Sequence, residues 1–406
     1  MASTDAQPLS AKPALTGVGA KAQQAAHRAA GLRADIGHLQ ALAHQAQVTE
    51  ALTRAELTEA LSEALIGRAE ALRRAASQTA ERYFAEARPR GLRRRARIDR
   101  GLDRLLLRLG QPGRVRLIAH AGVWANDDLA AIGDYVRRGA DPTAQPDALF
   151  DQAWHLAAYP AVAASGLPPL VHYLVWGASA GHSPHPLFDP AWYAKSNASD
   201  LRGSGVSPLE HFARLGWTRG RDPHPLFDLG HYLGQGPDLV GGEDPVSHYV
   251  RTGWRQGLSP SPLFDAAWYR RQMPRLAAEI APLIHYVTAG WREGLSPSPL
   301  FDPAWYLEQY PDVAEAGFEP LAHFLAGGAA EGRSPGPWFD LPHYVAARGD
   351  ALDPAVNPLV DYLQGGAWAI SEPRPGFPTA AYLAANPELV REGLTPLEHW
   401  AHKATN

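Results

Sequence analysis

The stretch LFDPAWYLEQYPDVAEAGFEPLAHFLAGGAAEGRSP, residues 300–335, carries the start and stop signals of two helices. Asp302 followed by Pro303 is typical of a helix start, because the carboxylate caps free backbone N–H groups and proline suits the first helical position. The pattern predicts a first helix over AWYLEQY. It also predicts a short restart at Pro311 that ends at Gly317.

The second half of this stretch opens another helix. Glu319 and Pro320 start the segment LAHFLAG, and Gly327 or Gly328 is expected to close it. The residues EGRSP then form a return loop. Two helices of this length cannot bury their apolar faces alone, so the segment needs neighbours of the same kind.

Such neighbours are present, because the segment recurs along the chain. The dipeptide Phe-Asp returns every 37 to 39 residues, at Phe150, Phe188, Phe227, Phe264, Phe301 and Phe339, with a degenerate copy at Phe377-Pro378. A second landmark, usually histidine before an aromatic residue, keeps the same period at His172, His211, His248, His285, His323, Asp361 and His399. Two landmarks in phase predict tandem helical repeats over 145–406. Asp134-Tyr135 predicts a partial repeat over 117–144.

The repeats predict an all-α fold, an α-solenoid of about seven two-helix repeats in which stacked neighbours supply the core. The predicted core of the repeat at 300–335 consists of apolar and aromatic side chains from both helices: Phe301, Trp305, Tyr306, Tyr310, Leu321 and Phe324.

The composition excludes several kinds of functional site. The 406 residues include no cysteine, which excludes disulfides, cysteine–zinc sites and thiol nucleophiles and fits a reducing cytosol. The net charge of −4 says little about partners. No apolar run is long enough for a transmembrane helix, and the N-terminus lacks the hydrophobic core of a signal peptide.

The N-terminal region has a different sequence pattern from the repeats. Residues 1–17 are small and polar and are expected to be disordered. Residues 18–87 are rich in Ala, Glu, Gln, Arg and Leu, with apolar positions three and four apart, which predicts a long helix or helical hairpin and a candidate coiled coil. This region either associates with a second copy of the chain or packs on the chain's own repeats.

Residues 88–116 form a distinct basic segment with eleven arginines and two aspartates. Leucine and isoleucine fall on one helical face, and a row of arginines falls on another: Arg93, Arg97, Arg100, Arg104 and Arg108. A helix of this kind can lie on an anionic membrane surface. The alternative is a solvated basic helix packed on the repeats or on an acidic partner. No nucleic-acid partner is predicted, because the segment has no interleaved aromatics.

The repeated polar residues have structural explanations. Histidines at equivalent positions are about 10 Å apart in stacked helix pairs, too far to share one zinc ion, so we interpret them as residues that hydrogen-bond to an adjacent turn. The aspartate of each Phe-Asp is interpreted as a helix cap rather than a calcium ligand. No metal and no cofactor is predicted.

A candidate ligand or partner surface follows the second helix. Tryptophans after a helix-ending glycine are expected to be exposed, with basic neighbours beside them: Trp217, Arg219, Arg221, Trp254, Arg255, Trp291 and Arg292. The Trp-Tyr pairs of the first helices are the alternative sugar-stacking surface, although core packing explains them better.

No Walker A loop, G-x-G-x-x-G, G-x-S-x-G or H-E-x-x-H motif is found, so no catalytic residue is assigned. The string FDPAWYLEQYPDVAEAGFEPLAHFLAGGAAEGRSP resembles a repeat of bacterial proteins of surface-polysaccharide biosynthesis, where it accompanies glycosyltransferase domains of rhamnan or O-antigen type. The resemblance covers roughly 145–400 and extends to the basic helix before the repeats. No transferase domain follows Trp400, which suggests an accessory protein or a fragment of a larger one.

The resemblance implies a non-catalytic, cytoplasmic scaffold that binds protein partners, such as glycosyltransferases, or glycan, with the basic helix near the inner membrane. Two alternatives remain open. One is a glycosyltransferase-type carbohydrate-active enzyme with an unrecognised site, and the other is an exported carbohydrate-binding protein.

Overall fold

The computed structural model describes residues 110–405 apart from 126–127, 147–148, 203, 241, 274–279, 370 and 393, with eight isolated positions (45, 67, 71, 74, 75, 78, 82 and 108). The chain divides into two compact parts, Met1–Glu63 and Ala64–Asn406. Only position 45 of the first part is described. The predictions for 1–17, and those for 18–87 and 88–116 apart from the positions named, lie outside the described residues.

The described part is helical and contains no β-strand, as the repeat pattern predicts, with isolated bridges only in the turns between repeats. Two helices precede the first complete repeat, at Gly110–Ala121 and Leu129–Arg138. The first of these runs across the predicted boundary between 116 and 117. The first helices of the seven repeats are Gln152–Ala158, Pro190–Ser196, Leu229–Gly234, Ala266–Arg271, Pro303–Gln309, Leu341–Arg348 and Thr379–Ala385.

The second helices begin as α-helix at Pro169–His172, Pro208–His211, Pro245–His248, Pro282–His285, Pro320–His323 and Pro358–Asp361. Each of these six continues as a π-helical turn, at Tyr173–Gly177, Phe212–Gly216, Tyr249–Gly253, Tyr286–Gly290, Phe324–Gly328 and Tyr362–Gly366. The seventh is α-helical throughout, at Pro396–Thr405. Shorter helices connect or follow them at Pro160–Ser165, Ala178–Ala180, Ala198–Leu201, Trp217–Arg219, Pro311–Ala316, Gly349–Ala351 and Leu389–Glu392.

The predicted helix starts are confirmed. Six first helices have the aspartate of Phe-Asp as their N-cap, and the carboxylate accepts from backbone N–H groups of the first turn: Asp151, Asp189, Asp228, Asp265, Asp302 and Asp340. The short helix Pro311–Ala316 ends at Gly317 in the left-handed conformation, and Glu319 caps the second helix. These starts and stops are therefore set by local chemistry.

The second helix ends at Gly328, as predicted, but without the left-handed glycine that commonly closes a helix. Gly328 closes a π-helical turn without leaving the right-handed region, and Ala329 after it is still right-handed. The first left-handed residue is Gly332, with φ of 77°. The reason for Gly328 lies elsewhere in the fold, because a Cβ at this position would overlap the hydroxyl oxygen of Tyr306.

This close approach belongs to a contact that recurs in five repeats. A tyrosine hydroxyl of the first helix is hydrogen-bonded to Nδ1 of the landmark histidine of the second, at 2.7 to 3.1 Å. The pairs are Tyr193–His211, Tyr232–His248, Tyr269–His285, Tyr306–His323 and Tyr382–His399. The prediction that these histidines form hydrogen bonds is confirmed, but the partner is a tyrosine of the first helix and not the adjacent turn that was expected. The bond fixes the two helices of a repeat against each other.

Backbone hydrogen bonds join each repeat to the next. The N–H of each capping aspartate donates to the proline carbonyl that begins the turn into the following repeat, as Asp302 N–H does to Pro335 at 3.1 Å. The other five such pairs are Asp151–Pro184, Asp189–Pro223, Asp228–Pro260, Asp265–Pro297 and Asp340–Pro373. The hydroxyl of Tyr135, in the predicted partial repeat, likewise accepts from Leu170 N–H, as that of Tyr362 accepts from Leu397 N–H.

The predicted core is confirmed in its centre. Phe301, Tyr306, Leu321 and Phe324 are at most 1% exposed. Trp305 and Tyr310 are only half-buried. Tyr310 donates no bond to the core and instead accepts from the N–H of Ser334 at 2.8 Å, which holds the return loop in place.

The crowding at Gly328 gives a matched test within one repeat. We expect Gly328→Ala to lower the free energy of unfolding by about 1–3 kcal/mol, the usual cost of overpacking a core. Gly327→Ala should be nearly neutral, because its Cβ would meet nothing closer than 3.8 Å. Thermal unfolding followed by circular dichroism measures both. Adding Tyr306→Phe to Gly328→Ala should recover part of the loss, and equal effects of the two alanines would contradict the close-approach explanation.

Candidate functional site

The turns between repeats build a continuous wall. Four turns follow the pattern Pro-x-Pro-Leu-Phe-Asp, at residues 184–189, 223–228, 260–265 and 297–302. The hydrogen bonds from aspartate N–H to proline carbonyl run from one turn to the next, so successive turns lie side by side. Leucine and phenylalanine of the turn point into the core, as Leu187 and Phe188 do at no more than 1% exposure. The polar residues of the turn lie next to the surface of the wall.

A cavity of about 420 Å³ lies between this wall and a helix two repeats further along. The wall contributes Phe150, Asp151 and His185, and the second helix of the third repeat contributes Val250 and Arg251. The remaining lining residues are Gln145, Pro146, Leu149, Glu243 and Ser247. Arg251 forms an ion pair with Glu243, so its charge is already compensated.

A second cavity, of about 300 Å³, repeats this arrangement one repeat later. The lining residues equivalent to those of the first cavity are Phe188, Asp189, His224 and Val287. The others are Trp154, Ser183, His185, Pro186, Thr288 and Arg292. His185 lines both cavities, so the two are adjacent. We call this pair of cavities the inter-repeat groove.

The two groove histidines also hold the backbone of their own turns through hydrogen bonds. Nδ1 of His185 accepts from Leu187 N–H at 3.0 Å, and Nδ1 of His224 accepts from Leu226 N–H at 3.1 Å. A neutral imidazole that accepts at Nδ1 carries its proton on Nε2. Burial lowers the pKa of both histidines to about 4, although the neighbouring carboxylates of Asp151 and Asp189 act in the opposite direction. Both rings are therefore neutral at pH 7.

The groove offers binding groups rather than a catalytic arrangement. Its polar side chains are carboxylates, hydroxyls, imidazoles and one uncompensated guanidinium, that of Arg292, and Trp154 adds a half-buried indole. Asp151 and Asp189 already cap helices. Within the described ranges, no group of three or more His, Asp or Glu side chains could hold a metal ion. The chemistry suits hydrogen bonding to a polar ligand with apolar faces.

The tryptophans of the predicted surface are buried, which corrects the prediction that they are exposed. Trp217, Trp254 and Trp291 are 8%, 4% and 9% exposed. Each tryptophan keeps right-handed helical backbone angles after the glycine, although the helix itself ends at Gly253 and Gly290 in two of the three repeats. Trp254 shows the result, since its Nε1–H donates to Val250 O at 3.1 Å.

The arginines of the same surface fall into two groups. Arg221 is held by Asp200, to which it donates two hydrogen bonds at 3.0 and 3.2 Å. Arg219, Arg255 and Arg292 are exposed. Arg292 alone among them lines the second cavity, so the structure joins one residue of the predicted surface to the groove.

The basic segment is described at one of its five predicted contact residues. Arg108 is helical and exposed, whereas Arg93, Arg97, Arg100 and Arg104 lie outside the described residues. Over the part of the chain that the structure describes, no helix has both the length and the apolar character that crossing a membrane requires.

Several groove residues were missed by the sequence reasoning. His185 and His224 lie at a position that varies between repeats, since Ser261, Ser298 and Gly336 stand at the equivalent places. Variation at one position of an otherwise regular repeat is the available signal. That the two histidines face a helix two repeats away, however, depends on contacts that no local pattern encodes.

Comparison with family models, with curated proteins and with solved structures found no match to this chain.

The buried histidines predict acid sensitivity. In the unfolded chain they take up protons near pH 6.5, but in the folded chain only near pH 4, so their contribution to stability is full above pH 6.5 and is lost as the pH falls toward 4. The double variant His185→Ser/His224→Ser should lose less stability across this window. One pKa unit corresponds to about 1.4 kcal/mol, so the difference is up to a few kcal/mol.

Serine is the matched replacement, because Ser261 Oγ accepts from Leu263 N–H at the equivalent turn. Unfolding midpoints between pH 7.5 and 4.5 give the comparison. The exposed His120→Ser serves as the control and should follow the parent. A double variant with the parent's pH dependence would show that these imidazoles are not the acid-sensitive groups.

Proposed function

We propose that this chain is a non-catalytic α-solenoid scaffold that binds an extended glycan along the inter-repeat groove, in bacterial surface-polysaccharide biosynthesis. The observation that carries the proposal is the pair of equivalent cavities one repeat apart. A polymer of repeating units presents the same groups at regular intervals. It therefore matches a groove whose walls also repeat.

The solenoid arrangement is supported by the bonds between repeats. Six aspartate-to-proline backbone hydrogen bonds link consecutive repeats in the same way, which favours stacking in one row. Each repeat then buries its apolar face on its neighbours, as its short helices require. The groove between repeats two apart is a product of this stacking.

The lining of the groove supports a glycan as the ligand. Sugars present hydroxyl groups around a ring and apolar C–H faces above and below it. The second cavity offers Thr288, Asp189 and His224 for the hydroxyls and Trp154 for a ring face. Both volumes lie near the lower end of small-ligand sites, as suits one short segment of a polymer in each cavity.

The polysaccharide pathway, glycosyltransferase partners and a position at the inner membrane are parts of the proposal that rest on the sequence. The repeat resembles modules that accompany surface-polysaccharide transferases. The basic segment 88–116 supplies the charge for an anionic membrane surface.

The dependence of affinity on the length of the ligand tests the glycan proposal. We expect an O-polysaccharide fragment of eight sugars to bind on the order of a hundredfold more tightly than one of two sugars, because occupying the second cavity is then intramolecular. Biolayer interferometry with immobilised protein gives both dissociation constants. Val250→Trp and Val287→Trp, which fill one cavity each, should remove most of this length advantage.

Val345→Trp is the control, since Val345 is exposed on the first helix of the sixth repeat. Folding of every variant is checked by circular dichroism. Absence of binding to a panel of surface polysaccharides at millimolar sugar would overturn the glycan proposal. Recovery of a glycosyltransferase by the tagged parent, undiminished by Val250→Trp and Val287→Trp, would place the function on a protein-binding surface instead.

A further inference from the structure

Two arginines in consecutive repeats are held in the same way. The guanidinium carbon of Arg255 lies 4.2 Å from the ring centroid of Trp254, and that of Arg292 lies 4.1 Å from that of Trp291. Nη1 of each donates to the carbonyl four residues earlier, Arg251 O at 2.9 Å and Thr288 O at 3.3 Å. Both guanidinium groups are thus held over an indole ring on exposed side chains.

Neither of these charges is compensated. Among the described residues, no carboxylate lies within ion-pair distance of Arg255 or Arg292, whereas the arginines at 221, 251, 333 and 348 each have one. The equivalent positions of other repeats hold Ser179, Thr218, Ala330 and Trp368. Free guanidinium groups in this position are therefore a property of the third and fourth repeats.

A third arginine, Arg270, adds positive charge beside Trp254. Arg270 donates from Nη2 to Trp254 O at 2.9 Å, and its guanidinium carbon is 5.4 Å from the same indole ring. Its Nε–H has no acceptor among the described residues. Two like charges beside one ring repel each other, and an anion bound to both would remove that repulsion.

We infer that the ligand of the inter-repeat groove is an acidic glycan, whose anionic groups bind Arg255 and Arg292 at successive repeats. The inference rests on the proposed function and names its substrate class. Arg292 lines the second cavity, so a chain in the groove reaches it directly. A fixed planar guanidinium matches a carboxylate or a phosphate through two parallel hydrogen bonds.

Single-stranded nucleic acid is the less suitable polyanion. Its binding proteins use exposed aromatic faces on which bases stack. Here Trp254 and Trp291 are buried, and each has an arginine over its ring. The surface therefore offers charge without the stacking faces that bases need.

The test compares four probes of similar length: an oligogalacturonate, a polyglycerol phosphate, a neutral dextran fragment and a single-stranded DNA. We expect at least one of the first two to bind roughly tenfold or more tightly than dextran, with an affinity that falls as salt rises. Which of them binds distinguishes carboxylate from phosphate recognition. Arg255→Gln/Arg292→Gln should weaken the preferred probe to the level of dextran.

Arg137→Gln/Arg202→Gln removes the same charge from exposed sites elsewhere and should leave binding unchanged. Arg255→Lys/Arg292→Lys keeps the charge but loses the planar fork, so it should retain only part of the affinity. Dextran that binds as well as the acidic probes, insensitive to Arg255→Gln/Arg292→Gln but lost in Val287→Trp, would overturn the acidic inference and leave the groove standing. Failure of every glycan would reject the proposed function itself, and DNA binding through the same arginines would replace the glycan with a different polyanion.

Discussion

The hydrogen bond between a first-helix tyrosine and a second-helix histidine is the contact on which five of the repeats depend. It buries a hydroxyl and an imidazole nitrogen together, so each satisfies the other and neither is left unpaired in the core. The sixth repeat shows how strict this requirement is. There Asp361 replaces histidine and accepts from the Tyr344 hydroxyl at 2.6 Å, and Arg348 pairs with the new charge at 2.9 Å. A buried carboxylate without that arginine would be costly.

The same contact determines the shape of the second helix. The tyrosine oxygen comes so close that only glycine fits at the crossing point, and the helix passes it as a π-helical turn. The residue after this glycine keeps right-handed helical backbone angles. That residue is tryptophan in three repeats, and its buried ring becomes the support for an arginine in two of them. A core contact thus sets the position of side chains at the surface.

Sequence patterns gave the parts of this fold that depend on local chemistry and missed those that depend on contact between helices. Aspartate and proline at 302 and 303 indicate a helix start independently of the surrounding contacts. Glycine serves equally at a left-handed turn and at a close approach, and these two uses cannot be told apart without knowing where Tyr306 lies. The prediction that the tryptophans are exposed was wrong for the same reason, because their burial also depends on contacts between helices. The groove could not be predicted at all, since it joins residues about 100 positions apart, such as Asp151 and Arg251.

The residues that hold the repeats together and those that line the groove differ in how they vary along the chain. Capping aspartate and core phenylalanine recur in six successive repeats. Groove positions change from one repeat to the next: His185 and His224 give way to Ser261, and Arg251 to Thr288. In the proposed function, a uniform frame with varied lining would set successive ligand units in different chemical surroundings. Such a frame would distinguish one end of a polymer segment from the other, which a groove of identical repeats could not do.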